Sequence, residues 1–280
     1  MNMSDMKYNP EGSALRRDQI ELLRLLQVAS RIFEDNGIKW WLSSGTLLGA
    51  ARHHGFIPWD DDIDIVLLKE DYKKLEKILC NLESNEYVFH CHRTDIDYVN
   101  EFGKFRKKEG RVYSLSNRYK YYKWTGIGFD IFAMEKTSRF SAFAADYITK
   151  ALNKLSYRLD IALIRKPLIG LTYLLLHYLV YPVLRLIGLI NPHGEYHYVL
   201  GTGWPDHTFY MRYTFPLTTA DFEGVRFPVP YDMDSYLSNV FGDWRTMPSS
   251  SQILASIHNQ EYKNEILARI DTCEKDEKLR

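Results

Sequence analysis

Apolar residues recur at helical spacing between Leu15 and Asn36, at Leu15, Leu22, Leu26, Ala29 and Phe33, which predicts an amphipathic helix. Gly37 stands where a C-terminal cap belongs. The run Ile38–Leu42 turns aromatic and branched and predicts a buried strand. Ser43-Ser44-Gly45 interrupts it, and Thr46 to Arg52 predicts a short helix before a loop marked by Gly55 and Pro58. Ile63–Leu68 predicts a second strand. Tyr72–Leu82 predicts a second amphipathic helix, with Tyr72, Leu75, Leu79 and Leu82 on one face. Tyr87 to Phe132 has the character of strands broken by basic turns, ending in Ile127–Phe132. From Ser138 to Ile190 the pattern shifts to long helices, and after Asn191 to mixed loops, a charged helix and a solvated tail. This order predicts the α+β class, with α/β as the neighbouring possibility. It suggests a core over residues 1–137, a helical insertion over 138–190 and a closing part over 191–280.

Charge narrows the functional classes. The chain has 280 residues, with 36 Lys and Arg against 36 Asp and Glu. A general nucleic-acid binder would be strongly basic, so no nucleic-acid partner is expected. The cysteines are Cys80, Cys91 and Cys273, with no CxxC pair, and are expected to be ordinary thiols. Met1 to Pro10 is polar and lacks the apolar stretch of a signal peptide, which places the expectation in a reducing cytoplasm.

The densest chemical signal is Trp59-Asp60-Asp61-Asp62-Ile63-Asp64-Ile65. In a strand, side chains alternate faces, so Asp62 and Asp64 share one face and Ile63 and Ile65 the other. The two carboxylates then stand about 6.6 Å apart along the strand. Ionised carboxylates resist apolar surroundings, and divalent cations relieve that cost while clamping the oxygens of a phosphoryl displacement. A solvated acidic loop is the competing reading. A calcium loop of the helix-loop-helix kind fits less well, because Ile65 replaces its glycine and Asp71 its glutamate. Upstream, Ser44-Gly45-Thr46 follows a strand and opens a helix, a turn whose backbone N–H groups can approach a phosphate. Asp130 lies between Phe129 and Ile131 in a second strand. It reads as a paired structural acid or as the third member of the acidic site.

At these residues the chain resembles the LicD family, the choline-phosphate transferases of bacterial surface glycans, and their fukutin-type relatives. The resemblance is carried by the run from Trp41 through Ser44-Gly45-Thr46-Leu47-Leu48-Gly49 to Trp59-Asp60-Asp61-Asp62-Ile63-Asp64-Ile65, and by Phe129-Asp130-Ile131-Phe132. It is weaker at Phe227–Pro230 and Phe241-Gly242-Asp243-Trp244. Ala133 stands where the family usually has Pro, and Phe241 where Tyr is common. The resemblance implies a nucleotidyltransferase-like mixed sheet with flanking helices. It further implies magnesium or manganese held by Asp62, Asp64 and Asp130, and transfer of phosphocholine or an alditol phosphate from a CDP-linked donor to the sugar hydroxyl of a cell-surface glycan.

Phosphoryl transfer also needs cations beside the phosphates. Arg52, Lys104 and Arg106 are the candidates, the last two sharing a face if Gly103–Arg106 is a strand. His53 and His54 suit either proton transfer or ordinary loop contacts. Tyr119, Tyr121, Tyr122 and Trp124 suit either a cage for a quaternary ammonium or core packing. Pro167 to Ile190 is long enough to span a bilayer, yet His177, Pro182 and Arg185 interrupt it. A helical hairpin broken at Pro182, in peripheral contact with the inner face of the membrane, is expected over a span or a buried hairpin. That placement suits a lipid-linked acceptor. A metal-dependent glycosyltransferase and a non-catalytic membrane-bound scaffold are the rival functions.

Overall fold

A computed structural model describes residues 8–110, 118–156, 161–191, 193–257, 259 and 261–269. Helix α1 (Ala14–Asp35) begins where the Ser13 hydroxyl accepts the Arg16 N–H, and it buries Leu15, Leu22, Leu25, Leu26, Ala29 and Phe33 along one stripe. Gly37 follows its end at a φ of 62°. Strand β1 (Trp40–Leu42) is wholly buried, and α2 (Ser44–His53) starts two residues before the predicted position. Then come β2 (Asp64–Leu68), α3 (Lys69–Cys80), β3 (Tyr87–His90), β4 (Gly103–Lys107) and β5 (Gly128–Lys136). Among the described residues, the strands of the middle region are separated by loops as predicted, but β5 runs four residues past the predicted Phe132.

The strands form one mixed sheet in the order β1-β2-β5-β4-β3. Only β2 and β5 are parallel among these neighbours; the other pairs are antiparallel. Helices α4 (Arg139–Ser156), α5 (Ala162–Leu175) and α6 (Tyr181–Gly188) follow, before β6 (Tyr196–Tyr198) returns to pair with the far end of β5. A hairpin of β7 (Thr218–Phe222) and β8 (Val225–Val229) packs near β1 and α2, and α7 (Met233–Phe241) also packs on α2. The architecture is thus mixed α and β, a mixed sheet with flanking helices. Cys80 and Cys91 are free thiols with Sγ atoms 3.7 Å apart, while Cys273 lies outside the described residues.

One expectation is corrected in the helical region. Pro182 does not divide 167–190 into a hairpin. The chain from Ala162 to Gly188 is one continuous helix, in which the π-helical turn Leu176–Val180 joins α5 to α6. Pro182 lies just after that π-helical turn, an irregularity of the kind that lets a helix continue past a proline.

A carboxylate at the tip of the β7–β8 hairpin fastens the loop that precedes the acidic motif. Glu223 receives Nη1 and Nη2 of Arg16 at 3.0 and 2.6 Å, and its Oε1 also accepts the Phe56 N–H at 3.1 Å. A Cβ on Gly55 would fall 2.4 Å from that same oxygen, so only glycine lets the loop lie against it. Removing the carboxylate strands a half-buried guanidinium and a backbone donor. Glu223→Ala is therefore expected to cost about 2–3 kcal/mol in urea unfolding, and Glu223→Gln about half of that, since its amide oxygen can still accept from Phe56. Equal losses for the two variants would show that the Phe56 contact contributes nothing.

Candidate active site

Strand register builds the site. Asp64 on β2 lies opposite Asp130 on β5, Asp130 opposite Lys104 on β4, and Lys104 opposite His90 on β3. Residues paired across a sheet point to the same side, so these four polar side chains form one row on one face. Adjacent strands lie about 4.8 Å apart, which leaves the two carboxylates as close neighbours. The flanking residues Ile63, Ile65, Phe129 and Ile131 are fully buried on the opposite face. Backbone contacts fix the row. Ser43 N–H donates to the Asp64 carbonyl, Asp64 N–H to the Thr46 hydroxyl at 2.8 Å, and Asp130 N–H to the Ile63 carbonyl at 2.9 Å. Strand β2 begins at Asp64, so Asp62 and Ile63 sit just ahead of it, although Ile63 already bonds to β5.

Asp60 joins this group through the glycine turn. A Cβ on Gly45 would lie 2.6 Å from its Oδ2, so the missing side chain makes room for the carboxylate at the start of α2. The buried Gln19 side chain holds the Asp60 carbonyl at 2.8 Å. Ser44, Gly45, Leu48, Asp60 and Asp64 line an open cleft of about 330 Å³ whose far wall includes Phe132, Tyr198, Trp204 and His207. The N-terminus of α2 faces this cleft and favours negative charge there. The Tyr198 hydroxyl approaches that of Ser44 to 3.3 Å.

The carboxylates repel one another. Asp62 is exposed by area but set among the other acids; burial by its surroundings, then the charges of Asp130 and Asp61, push it up to about 7. Burial and the charges of Asp62, Asp130 and Asp60 raise Asp64 well above the ordinary value, and burial with Asp62 and Asp61 does the same to Asp60. Lys104 offsets part of the repulsion by pairing with Asp130. Burial works against its ammonium, but the Asp130 charge prevails and its pKa is raised.

This donor set fits a hard cation. Asp60, Asp61 and Asp62 can each offer one carboxylate oxygen within 4.8 Å of the others, and oxygen-only sets suit magnesium, manganese or calcium. Asp64 and Asp130 border the same cluster, as their mutual charge effects show. Sequence reasoning gave Asp60 no role, although it continues the same two-residue alternation as Asp62 and Asp64. It also missed Tyr198, Trp204 and His207, which lie far along the chain from the motif.

Three other candidates are placed differently from expectation. Thr46 is buried, and its hydroxyl is taken up by the Asp64 N–H, so it positions Asp64 instead of lining the cleft. Arg52 donates from Nη1 to the Trp244 carbonyl and from Nε to His53, which ties α2 to the C-terminal part. Arg106 shares the face of Lys104 as predicted, but Trp124 and Tyr119 cover it: Nη1 donates to the Trp124 carbonyl at 2.6 Å, and the guanidinium lies 6.0 Å from the Tyr119 ring centroid. The aromatic run closes on the protein's own groups. Tyr122 and Trp124 stand edge-on to His90, and Arg165 lies 3.7 Å over Tyr121.

Residues 37–160 match the family model described as LicD/FKTN/FKRP, nucleotidyltransferase domain, which bears out the resemblance read from the motif. Similar proteins include an uncharacterized protein of Rickettsia prowazekii, 42% identical over 87 residues, or 31% of this chain and 31% of that protein. The Lipopolysaccharide cholinephosphotransferase LicD of Haemophilus influenzae is 43% identical over 60 residues, 21% of this chain and 23% of its own length. The Ribitol 5-phosphate transferase FKRP of Homo sapiens is 42% identical over 60 residues, 20% of this chain and 12% of its own length. The match thus spans less than a third of each relative.

The crowded acids generate a sign-specific pH response. A carboxyl raised in the folded state holds a proton that the unfolded chain has already released. The contribution of Asp62 to stability is then fullest below 3.8 and falls as pH rises toward about 7. Chelator-treated protein is expected to lose several degrees of Tm across that window, with saturating magnesium or manganese restoring most of the loss at its upper end. A Tm indifferent to cation at neutral pH would contradict the fit.

Proposed function

We propose that this chain, through its LicD/FKTN/FKRP-type domain at residues 37–160, is a metal-dependent transferase of a phosphate-linked group, acting from a CDP-activated donor on a sugar hydroxyl of a glycan. The observation that carries the reading is the in-register row of Asp64, Asp130 and Lys104, set beside a helix N-terminus and further carboxylates. Acids in such numbers are unsuited to holding a phosphate themselves, but with a cation they are suited to it. Two of the similar proteins carry names for moving choline phosphate and ribitol 5-phosphate, and phosphocholine or an alditol phosphate is the group proposed here. The sheet arrangement is compatible with the nucleotidyltransferase-like fold that the resemblance implies.

Asp60, Asp61 and Asp62, with Asp64 and Asp130 beside them, would hold magnesium or manganese. Bound there, the ion would neutralise and orient the donor phosphates. The chain's own residues do the rest. The backbone N–H groups at Ser44 and Gly45 receive phosphate oxygens at the positive end of α2. Asp130 accepts the proton of the attacking hydroxyl. The oxygen–phosphorus bond forms as the bond to the leaving cytidine monophosphate breaks in line with it. Lys104 keeps Asp130 oriented and adds positive charge near the reacting phosphorus. Ile57, Trp59 and Phe132 give the cleft apolar walls that limit water.

The test is a panel of CDP-linked donors, CDP-choline and CDP-alditols among them, scored by acceptor-dependent release of cytidine monophosphate. Asp64→Ala and Asp130→Asn are expected to lower turnover by roughly a thousandfold, the scale of several kcal/mol of lost charge stabilisation. Near-normal turnover in both would sink the assignment of these acids.

A further inference from the structure

The helix Ala162–Gly188 is 27 residues long, and by length and composition it could cross a bilayer. Its contacts point elsewhere. Its buried positions are Arg165, Ile169, Thr172, Leu176, Tyr181, Leu184 and Gly188. The steps run four, three, four, five, three, four. The single step of five falls on the π-helical turn Leu176–Val180, whose extra residue returns the stripe to the same face. Along that face the helix is tied to the sheet domain by ionic contacts. Arg165 Nε meets Asp97 at 3.0 Å with both groups buried, and His177 meets Glu101 at 3.1 Å. The Tyr181 hydroxyl donates to Glu101 at 3.0 Å, and Arg185 meets Glu135 at 2.8 Å. Burial alone would push Glu135 up, but Arg185 and Lys69 hold it below the ordinary range.

The opposite face is bare and apolar. Leu163, Leu171, Leu174, Tyr178, Leu186 and Leu189 are all more than half exposed, Leu163 at 85%. Among the described residues of 161–190, the one exposed charged side chain is Lys166. Helix α4 adds Phe140 and Tyr147, which are 66% and 78% exposed. Charge singles out the occupant. Residues 136–191 contain eight Lys and Arg against two Asp and no Glu, within a chain of zero formal net charge. Of these, Lys136, Arg139, Lys150, Lys154 and Lys166 are exposed. A bare apolar face within a segment whose exposed charges are mostly basic fits an anionic phospholipid surface, which offers hydrocarbon beneath and negative charge above.

We propose that Ala162–Gly188 lies in the plane of an anionic membrane, seating its bare face at the acyl boundary while its ionic face stays docked on the sheet domain. A span would require the contacts of Arg165, His177, Tyr181 and Arg185 to break together and would draw Arg185 into hydrocarbon. The proposal stands independently of the transfer reaction.

Flotation of the full chain with phosphatidylglycerol-containing vesicles tests it, alongside pure phosphatidylcholine vesicles and the variant Leu171→Glu/Leu186→Glu. The native chain is expected to float with the anionic vesicles, to bind neutral ones far less and to be released by alkaline carbonate. Each Leu→Glu change should weaken partitioning roughly tenfold or more, with circular dichroism and Tm unchanged because both positions are exposed. Equal flotation of the variant would overturn the proposal, as would carbonate-resistant binding, which indicates a span. A chain that stays in solution as a dimer, and becomes monomeric in the variant, would overturn it in favour of a second copy on this face.

Discussion

Repulsion among carboxylates gathered at one end of a sheet is the constraint on which the rest of this structure depends. Asp64 and Asp130 are neighbours because β2 and β5 are parallel and in register, and neither can move away without breaking the pairing of its strand. Asp60 and Asp62 are held beside them by a loop that Gln19, Glu223 and the side-chain-free Gly45 keep in place. Burial first, and then like charges at these separations, disfavour ionisation, and both raise Asp60, Asp62 and Asp64. Lys104 answers part of the charge from inside the fold. A bound divalent cation, and the phosphates it attracts, would answer the remainder.

Strand β5 joins this site to the other unusual region. Asp130 stands near its start and Glu135 near its end, about 16 Å apart at the rise of a strand. Glu135 receives Arg185 from the apolar helix, Lys69 from α3 and the Leu200 N–H from the chain beyond β6. One strand therefore carries a carboxylate for the proposed chemistry and another that anchors the proposed membrane face. An enzyme acting on a lipid-linked glycan would gain from that rigid connection, since the cleft would keep a fixed height above the bilayer.

Much of this was legible in the sequence wherever local pattern dictates structure. The amphipathic stripe of α1, the buried β1 and the acid-bearing strands follow from periods of 3.6 and 2. The family motif pointed to Asp62, Asp64 and Asp130, and the register places the last two side by side. What the sequence did not disclose depends on contacts between distant segments. Thr46 and Arg52 look like phosphate-binding groups in a motif, but their partners are the Asp64 backbone and Trp244. Arg106 has the strand phase of a site residue until the aromatic segment 119–124 covers it. Pro182 ordinarily signals a helix break, yet a π-helical turn just before it accommodates the ring and keeps Arg165 and Arg185 on one side. Tyr198 and Trp204 reach the cleft only because β6 pairs with β5.

The central claim is that the phosphorus nearest the transferred group leaves the nucleotide with that group. A donor labelled with radioactive phosphorus at that position, incubated with acceptor glycan and magnesium, tests it most directly. The account predicts label in the glycan and unlabelled cytidine monophosphate in solution. Label retained on a released nucleoside diphosphate, with an unlabelled product, would contradict it and identify the reaction as glycosyl transfer.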